Sequence, residues 1–282
     1  MKDLFSGVAL QLAQKPVMPM ADYPGLFNPP PEFQRRFCGS DMRDAYLFGA
    51  GFCNILADAV ERLEGATLGD RMAAGSRLLD FGCGWGRVTR LLALAYGQRN
   101  LFGLDVNAPA LATAAAAMPG ATFALVDRQP PSPLRDGLVD IAIGVSVFSH
   151  LNECWQAAWA GELARLVRPG GIALVTYHGP WLMDAIEQFG SGESHPPSAW
   201  HAALAAQRAR LRECRENWEG GRFTYLPTGG EAMGGGDAYG DVLAPCVWAD
   251  TLWRSHGFAM VQWIEDRRTY PQCIAILRRS GT

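Results

Sequence analysis

The residues best suited to chemistry form one short stretch, in which an apolar run ends in Asp80 and three glycines follow at alternate positions. Gly82, Gly84 and Gly86 precede a helical pattern that begins near Arg87. Glycine allows a sharp turn and lets a ligand approach bare backbone. The helix that follows presents free N–H groups and its positive end. A strand, a glycine-rich turn and a helix in this order predict a nucleotide-type binding site.

The glycine spacing and the acids indicate which nucleotide. A dinucleotide fingerprint would read G-x-G-x-x-G and hold a pyrophosphate. Here the spacing is G-x-G-x-G. The carboxylate of Asp80 would repel a pyrophosphate and favours a cationic ligand. Two further strand-like runs end in acids: Asp105, which precedes Val106, is placed to bind ribose hydroxyls, and Asp127 to bind an adenine amine. Three acids at successive strand ends fit the amino-acid, ribose and base portions of S-adenosylmethionine.

These residues resemble the first motifs of class I S-adenosylmethionine-dependent methyltransferases. Residues 140–151 resemble the fourth strand of that family and the loop after it, and residues 163–171 resemble the turn into its fifth strand. The resemblance implies an α/β fold with a doubly wound, mostly parallel seven-stranded Rossmann-like sheet, an N-terminal helical lid and an insertion before the last strands. It also implies S-adenosylmethionine as the cofactor, bound by Asp80, Gly82, Gly84, Gly86, Arg87, Asp105, Val106, Asp127 and Ser146.

Methyl transfer from a sulfonium requires the protein to align the nucleophile, exclude water and, for a hydroxyl or ammonium acceptor, remove a proton. His150 follows the predicted fourth strand and His178 the fifth, and imidazole titrates near neutrality, so both are candidate bases. Tyr177 is an alternative that would contact the substrate or the sulfonium. Each histidine has a structural alternative, as a helix cap or a loop tie. Arg87 either orients Asp80 or is an ordinary first-turn residue.

The sequence predicts an S-adenosylmethionine-dependent methyltransferase that acts on oxygen or nitrogen of a small molecule. Phe148-Ser149-His150 and Tyr177-His178-Gly179 resemble a bacterial branch associated with glycan or natural-product modification. Three alternatives stay open. An intramolecular cyclase would release methylthioadenosine and a cyclic amino acid; a regulator would bind the cofactor without turnover; a dehydrogenase would use a nicotinamide.

Composition excludes several classes of protein. The 282 residues are 49% hydrophobic and 19% charged, which is typical of a soluble globular chain. A net charge of −3 provides no basic field for a polyanion, so no nucleic-acid partner is expected. The seven cysteines include no C-x-x-C pair, so we expect a cytoplasmic protein with reduced thiols and no metal site. No membrane span or export signal is expected. The oligomeric state is left open.

We expect three regions. Residues 1–74 would be an N-terminal helical lid segment, 75–180 the cofactor-binding core, and 181–282 an acceptor-side insertion with closing strands of the same domain. Candidate wall residues in the first region are Tyr23, Phe37 and Tyr46. Strands are predicted near 77–82, 101–106, 122–126, 138–146, 171–177, 258–265 and 272–278, and helices near 3–14, 41–63, 86–96, 108–117, 152–166, 181–189, 198–217 and 248–256. The glycine-rich stretch 219–240 would form a hairpin, pairing 222–226 with 239–243, or a mobile lid.

Overall fold

A computed structural model describes residues 3–17, 26–191, 196, 198–229 and 239–281. The helices are α1 (Leu4–Ala13), α2 (Pro31–Cys38), α3 (Met42–Glu64), α4 (Leu68–Ala73), α5 (Arg87–Tyr96), α6 (Ala108–Ala117), α7 (Glu153–Leu166), α8 (Trp181–Gly190), α9 (Ala199–Ala205), α10 (Leu211–Glu219) and α11 (Cys246–Ser255). The strands are β1 (Leu78–Phe81), β2 (Leu101–Asp105), β3 (Thr122–Leu125), β4 (Val139–Gly144), β5 (Val167–Tyr177), β6 (Thr224–Leu226), β7 (Asp241–Leu243), β8 (Phe258–Ile264) and β9 (Cys273–Arg279).

Seven of the strands form one sheet in the order β3-β2-β1-β4-β5-β9-β8. Strand β1 runs parallel to β2 and β4, and β2 runs parallel to β3. Strand β8 pairs with β9 in the antiparallel sense. The predicted doubly wound, mostly parallel seven-stranded sheet is therefore confirmed. Its parallel strands β1 and β4 are almost wholly buried, as expected for strands covered by helices on both faces.

The chain divides into two compact units, and the first consists of residues 1–145 and 166–173. Within it, α1 and α5 both pack against α3. Asn54 of α3 ties the start of α1 in place, because its side-chain oxygen accepts a 3.1 Å hydrogen bond from the backbone N–H of Phe5. Gly49 of α3 allows the close approach of α5, since a Cβ there would lie 2.9 Å from the side chain of Leu91. These helices support the strand ends that carry Asp80 and Asp105.

The second unit consists of residues 146–165 and 174–282. It contains a small antiparallel sheet in which Thr224 pairs with Leu243 and Leu226 with Asp241. Helices α8, α9 and α10 build a separate apolar core against this small sheet, and its buried members are Leu182, Met183, Ile186, Leu204, Leu211, Cys214, Leu226 and Leu243. The predicted hairpin is thus confirmed for the paired strands, while residues 230–238 of its loop lie outside the described part of the chain.

The prediction of one helix over 198–217 was wrong. The structure has α9, a single 3₁₀ turn at Arg208–Arg210, and then α10. The bend lets Leu204 and Leu211 reach the same small core. It also lets the Arg210 guanidinium donate a 2.8 Å hydrogen bond to the carbonyl of Tyr225. Tertiary contacts therefore override a continuous helical pattern.

Helices α2 and α4 were not predicted. The first begins at Pro31, a residue whose fixed φ suits the first helical position. The second begins with a capping box: the Thr67 side chain accepts a hydrogen bond from the backbone N–H of Asp70, and the Asp70 side chain accepts one from the backbone N–H of Thr67. Among the described residues, none of the helices combines the length and the apolar character that crossing a bilayer requires. All seven cysteines are free thiols, and Cys154 is exposed.

Candidate functional site

The glycine-rich turn has the backbone conformation that its sequence predicts. Gly82, Gly84 and Gly86 have φ values of 70°, 55° and 80°, in the left-handed region that side chains with a Cβ rarely adopt. The N–H of Gly82 donates a 2.8 Å hydrogen bond to the carbonyl of Leu104, which fixes the turn to β2. A Cβ on Gly84 would meet nothing closer than the Phe37 ring at 4.0 Å, so this part of the turn is open. It therefore offers bare backbone to a ligand.

Asp80 is a buried carboxylate at the end of β1. It is 2% exposed, and the hydroxyl of Thr89 donates a 2.6 Å hydrogen bond to its Oδ2. Burial raises the pKa of Asp80 to about 6, although Thr89 and the charge of Arg87 oppose the increase. In the described part of the chain, no lysine, arginine or histidine forms an ion pair with Asp80. A carboxylate in this state fits a ligand that brings its own positive charge.

Asp105 is the last residue of β2 and is 6% exposed. The N–H of Gly84 donates to its Oδ2 at 2.6 Å, and the N–H of Asn107 donates to its Oδ1 at 2.7 Å. Burial raises the pKa of Asp105, while the N–H groups of Asn107, Gly84 and Val106 lower it. Each carboxylate oxygen has a second lone pair, so the fixed carboxylate can accept a pair of hydroxyl hydrogen bonds. Val106 is half-buried.

The other two predicted cofactor residues of this unit differ from each other. Asp127 lies two residues beyond β3 and is exposed, beside the buried Val126. Arg87 is buried, and its guanidinium carbon lies 4.8 Å from the centre of the Phe48 ring. Arg87 packs in the first turn of α5, and its charge lowers the pKa of Asp80, while the hydrogen bond to that carboxylate comes from Thr89.

Phe37, one of the candidate wall residues, lies 4.0 Å from the position that a Cβ on Gly84 would take. Tyr46 is fully buried, its hydroxyl donates a 2.5 Å hydrogen bond to Asn28, and its ring packs edge-on against Trp85. Its contacts are those of a core residue. Tyr23 lies outside the described residues.

Sequence reasoning missed two polar side chains of α5 in this unit. Thr89 is the hydrogen-bond donor to Asp80, and its position in the first turn after the glycines was the available signal. Arg90 is fully buried, with its guanidinium carbon 5.0 Å from the centre of the Trp85 ring and one 3.3 Å hydrogen bond to the carbonyl of Thr113. Burial lowers the pKa of Arg90 to about 10. No periodicity distinguishes a buried arginine from an exposed one.

In the second unit, Ser146 and Tyr177 are held by side-chain partners. Ser146 has φ of 57°, its N–H donates to Thr176 at 2.7 Å, and its hydroxyl donates to Gln272 at 3.0 Å. Tyr177 is 0% exposed, and its hydroxyl accepts a 3.0 Å hydrogen bond from the indole of Trp253. Burial raises the pKa of Tyr177 well above its ordinary value. These contacts favour a packing role for Tyr177 over contact with a ligand.

The structure brings His150 and His178 together, with ring centres 5.1 Å apart, and adds a third residue, Asp241. Asp241 is 1% exposed, and its Oδ1 lies 2.8 Å from Nε2 of His178 and 3.3 Å from Nδ1 of His150. Nδ1 of His150 also lies 2.7 Å from the carbonyl of Gly240, and the ring of Tyr239 stacks on His150. We call His150, His178 and Asp241 the imidazole–carboxylate cluster.

The described part of the insertion supplies two further partners of Asp241. The indole N–H of Trp200, on α9, donates to Oδ2 at 2.9 Å, and the hydroxyl of Thr228, after β6, donates to Oδ2 at 2.5 Å. Burial raises the pKa of Asp241, but hydrogen bonds and charge from the two histidines hold it far below its ordinary range. Sequence reasoning missed Asp241, Trp200 and Thr228, since they lie far from the histidines in the chain and match no motif.

The two histidines of the cluster differ in proton affinity. Burial lowers the pKa of both, and the hydrogen bond and charge of Asp241 raise it. For His150 the carboxylate and the Gly240 carbonyl prevail, so its pKa is raised. For His178 burial prevails, helped by the neighbouring His150, so its pKa is lowered. One ligand atom from each member lies within 4.8 Å of the others, a spacing that would also admit a metal ion.

Residues 78–171 match a family model described as a methyltransferase domain. The chain is 30% identical over 206 residues to trans-aconitate 2-methyltransferase of Azoarcus sp. (strain BH72), which covers 71% of this chain and 70% of that protein. It is 29% identical over 208 residues to the protein of the same name from Acidovorax sp. (strain JS42), covering 70% of each. Magnesium protoporphyrin IX methyltransferase of Synechocystis, solved with bound S-adenosylhomocysteine, shares the fold with a TM-score of 0.50 at 17% identity, covering 88% of this chain and 94% of that one.

With a mostly parallel seven-stranded sheet, an acid-flanked glycine turn and relatives of this kind, the chain belongs to the class I S-adenosylmethionine-dependent methyltransferases. It is an enzyme of that family, and S-adenosylmethionine is its methyl donor. The relatives do not favour the intramolecular cyclase. The nicotinamide and non-catalytic alternatives do not agree with this membership.

Proposed function

We propose that this methyltransferase transfers the methyl group to an oxygen or nitrogen atom of a small-molecule acceptor, and that His150 and His178 handle the acceptor and its proton. The observation that carries the proposal is the imidazole–carboxylate cluster, in which a 1% exposed Asp241 contacts both rings. Buried carboxylate–imidazole pairs are costly to desolvate and are common where a proton is moved. Two histidines are hard to account for as packing alone.

The cofactor residues belong to the same proposal. Asp80 would hold the ammonium of the methionine part, because it is a buried carboxylate without a cationic hydrogen-bond partner among the described residues. Asp105 would accept hydrogen bonds from the ribose hydroxyls, and the N–H groups at Gly84 and Asn107 hold it in place for that role. The open backbone at Gly84 would lie against the ligand, and Gly82 and Gly86 would hold the shape of the turn, with Gly86 packed closely against Met118 and Ala114. Arg87 would tune Asp80, and Val106, Asp127 and Ser146 would complete the set. When bound, S-adenosylmethionine supplies an activated methyl group.

A small acceptor agrees with the relatives and with the charge of the chain. The two relatives described above are named for trans-aconitate, a small tricarboxylic acid. The net charge of −3 gives no field that would attract a nucleic acid. We therefore propose small polar metabolites, including glycan and natural-product precursors, as the first acceptors to test, with no nucleic-acid or membrane partner and a cytoplasmic location.

The test is product analysis with methyl-labelled S-adenosylmethionine and a panel of small hydroxyl, amine and carboxylate compounds that includes trans-aconitate. The proposal expects S-adenosylhomocysteine together with a labelled small-molecule product identified by mass spectrometry. Methylthioadenosine as the cofactor-derived product would revive the cyclase and contradict the proposal. Labelled macromolecules from a cell extract, with no labelled small molecule, would contradict the acceptor class. Asp105→Asn is the matched control for cofactor-dependent signal.

A further inference from the structure

The two histidines of the cluster face different numbers of hydrogen-bond acceptors, and this difference determines where their protons lie. Nδ1 of His150 faces two acceptors, the Gly240 carbonyl at 2.7 Å and Oδ1 of Asp241 at 3.3 Å. A carbonyl oxygen only accepts, so Nδ1 of His150 carries a hydrogen. Nε2 of His178 faces Oδ1 of Asp241 at 2.8 Å, so it carries a hydrogen as well. The lone pair of a neutral His178 is then on Nδ1.

The charge of Asp241 requires one positive partner. A 1% exposed carboxylate is stable only when donors and an opposite charge replace its hydration. Trp200 and Thr228 supply neutral donors to Oδ2. His150, which has the larger number of acceptors, is the better site for the extra proton. The raised pKa of His150 and the lowered pKa of His178 agree with this distribution.

We propose that His178 is the general base of the reaction and that Asp241 is the positioning residue that holds it as the Nε2–H tautomer, with Nδ1 able to accept a proton. The inference rests on the proposed function and deepens it. In the transfer step, the acceptor O–H or N–H proton goes to Nδ1 of His178 as the new bond to the methyl carbon forms. The sulfur–methyl bond breaks, and its electron pair stays on sulfur.

The arrangement also specifies the acceptor class. A carboxylate acceptor is already ionised at neutral pH and needs no base. A hydroxyl or a protonated amine does, and a positioned base contributes roughly 10²–10⁴-fold to the rate of such a step. The acceptor therefore carries a proton on the atom that receives the methyl group. The same geometry argues against a metal, because the nitrogen of His150 that points at Asp241 is the one bonded to the Gly240 carbonyl.

The first test is ¹⁵N NMR of the imidazole nitrogens across a pH series, in the intact protein without acceptor. The inference expects His178 at pH 7 to be neutral with its hydrogen on Nε2, and His150 to carry hydrogens on both nitrogens. In Asp241→Asn the proton affinity of His150 should fall about tenfold or more, since the charge that raises it is gone. Asp266→Asn, which alters an exposed carboxylate paired with Arg268, is the control and should leave both titrations unchanged.

A second variant keeps the test decisive if Asp241→Asn does not fold. In His150→Gln the neighbouring positive charge is lost, and of the two imidazoles at Asp241 only His178 is left to neutralise it. The pKa of His178 should then rise, and the ring should be protonated at pH 7. A His178 that carries its hydrogen on Nδ1, or that titrates identically in wild type and His150→Gln, would overturn the inference. Stoichiometric Zn²⁺ binding that abolishes both imidazole signals and needs Asp241 would overturn it too.

The activity arm separates this inference from the proposed function. With an acceptor found by product analysis, kcat/KM of the wild type should rise with pH and level off as His178 loses its proton. His178→Gln should lose roughly 10²-fold or more in kcat with little change in KM. If the pH profile of kcat/KM in His178→Gln is the same as in the wild type, the role of His178 as the general base is contradicted. If the wild type methylates nothing, the proposed function fails while the NMR arm still decides the proton distribution.

Discussion

The hydroxyl of Thr89 and the carboxylate of Asp80 lie nine residues apart in the chain and 2.6 Å apart in space. Thr89 lies on the first turn of α5, and Asp80 ends β1, so one hydrogen bond joins the two sides of the glycine turn. The Thr89 hydroxyl is a neutral donor, and the buried Asp80 carboxyl that accepts from it has a pKa raised to about 6. The apoprotein therefore carries an electrostatic cost that a cationic ligand would remove.

The first prediction concerns the cost of burying Asp80. A carboxyl whose pKa rises on folding, here from 3.8 to about 6, contributes stability below pH 3.8 that is lost as the pH rises through about 6. Asp80→Asn removes the charge, so its free energy of unfolding at pH 7 should exceed that of the wild type by up to about 3 kcal/mol. Urea unfolding measures the difference. At the same time, calorimetry should show weaker S-adenosylmethionine binding. A variant that is less stable and binds equally well would contradict the role given to Asp80.

The second prediction concerns Thr89. Thr89→Val removes the hydrogen bond that lowers the pKa of Asp80, so the carboxyl should become harder to ionise. As the pH is lowered from 8 to 5, the affinity for S-adenosylmethionine should therefore begin to fall at a higher pH in Thr89→Val than in the wild type. Calorimetry across this range measures the difference. Thr251→Val is the control, because that hydroxyl is exposed and donates to the Val247 carbonyl of its own helix. Identical pH profiles for all three proteins would show that Asp80 is not the titrating partner.

The third prediction concerns Asp105. Asp105→Asn loses charge-assisted hydrogen bonds to the ribose, and Asp105→Ala also loses the contacts to the N–H groups of Gly84 and Asn107. The cofactor affinity should fall by roughly 1–3 kcal/mol in both variants. Asp127→Ala should cost less, since Asp127 is exposed to solvent. Calorimetry with S-adenosylhomocysteine checks the order. Unchanged affinity in Asp105→Ala would mean that the ribose lies elsewhere.

The fourth prediction concerns Gly240, the residue before Asp241. A Cβ there would lie 2.2 Å from the backbone carbonyl oxygen of Leu226 and 2.9 Å from the Tyr225 ring. Gly240→Ala should therefore separate β6 from β7, displace Asp241 and lower the melting temperature. Gly7→Ala is the matched control, because a Cβ at that helical site meets nothing within 4 Å, and it should stabilise the protein by about 0.5–1 kcal/mol. Equal melting temperatures for the two variants would contradict the packing described for this hairpin.

The glycine turn and the strands of the first unit could be predicted from the sequence because their signals are local. Asp80, the three glycines and the helix after them lie within one short stretch. Strand, turn and helix follow one another there in the expected order. The strand ends that carry Asp80 and Asp105 follow from the same pattern. Buried parallel strands and their short turns leave little freedom for another arrangement.

The second unit could be predicted only in part. His150 and His178 were identified from their places after two strands, but Asp241 reaches them across 63 residues from His178, through a hairpin of the insertion. Trp200 and Thr228 likewise arrive by tertiary contacts that leave no periodic signal. Tyr177 has the sequence position of a ligand contact, yet its side chain faces Trp253 in the core. One residue along a strand reverses the direction of a side chain.

A crystal structure with S-adenosylhomocysteine tests the central claim most directly. The account predicts that the amino group of the ligand lies within hydrogen-bond distance of Asp80 and that the ribose hydroxyls bind Asp105. It also predicts that the ligand lies against the protein backbone at Gly82 and Gly84. A ligand bound away from Asp80 and Asp105, or a pyrophosphate compound bound in preference to it at the glycine turn, would contradict the account.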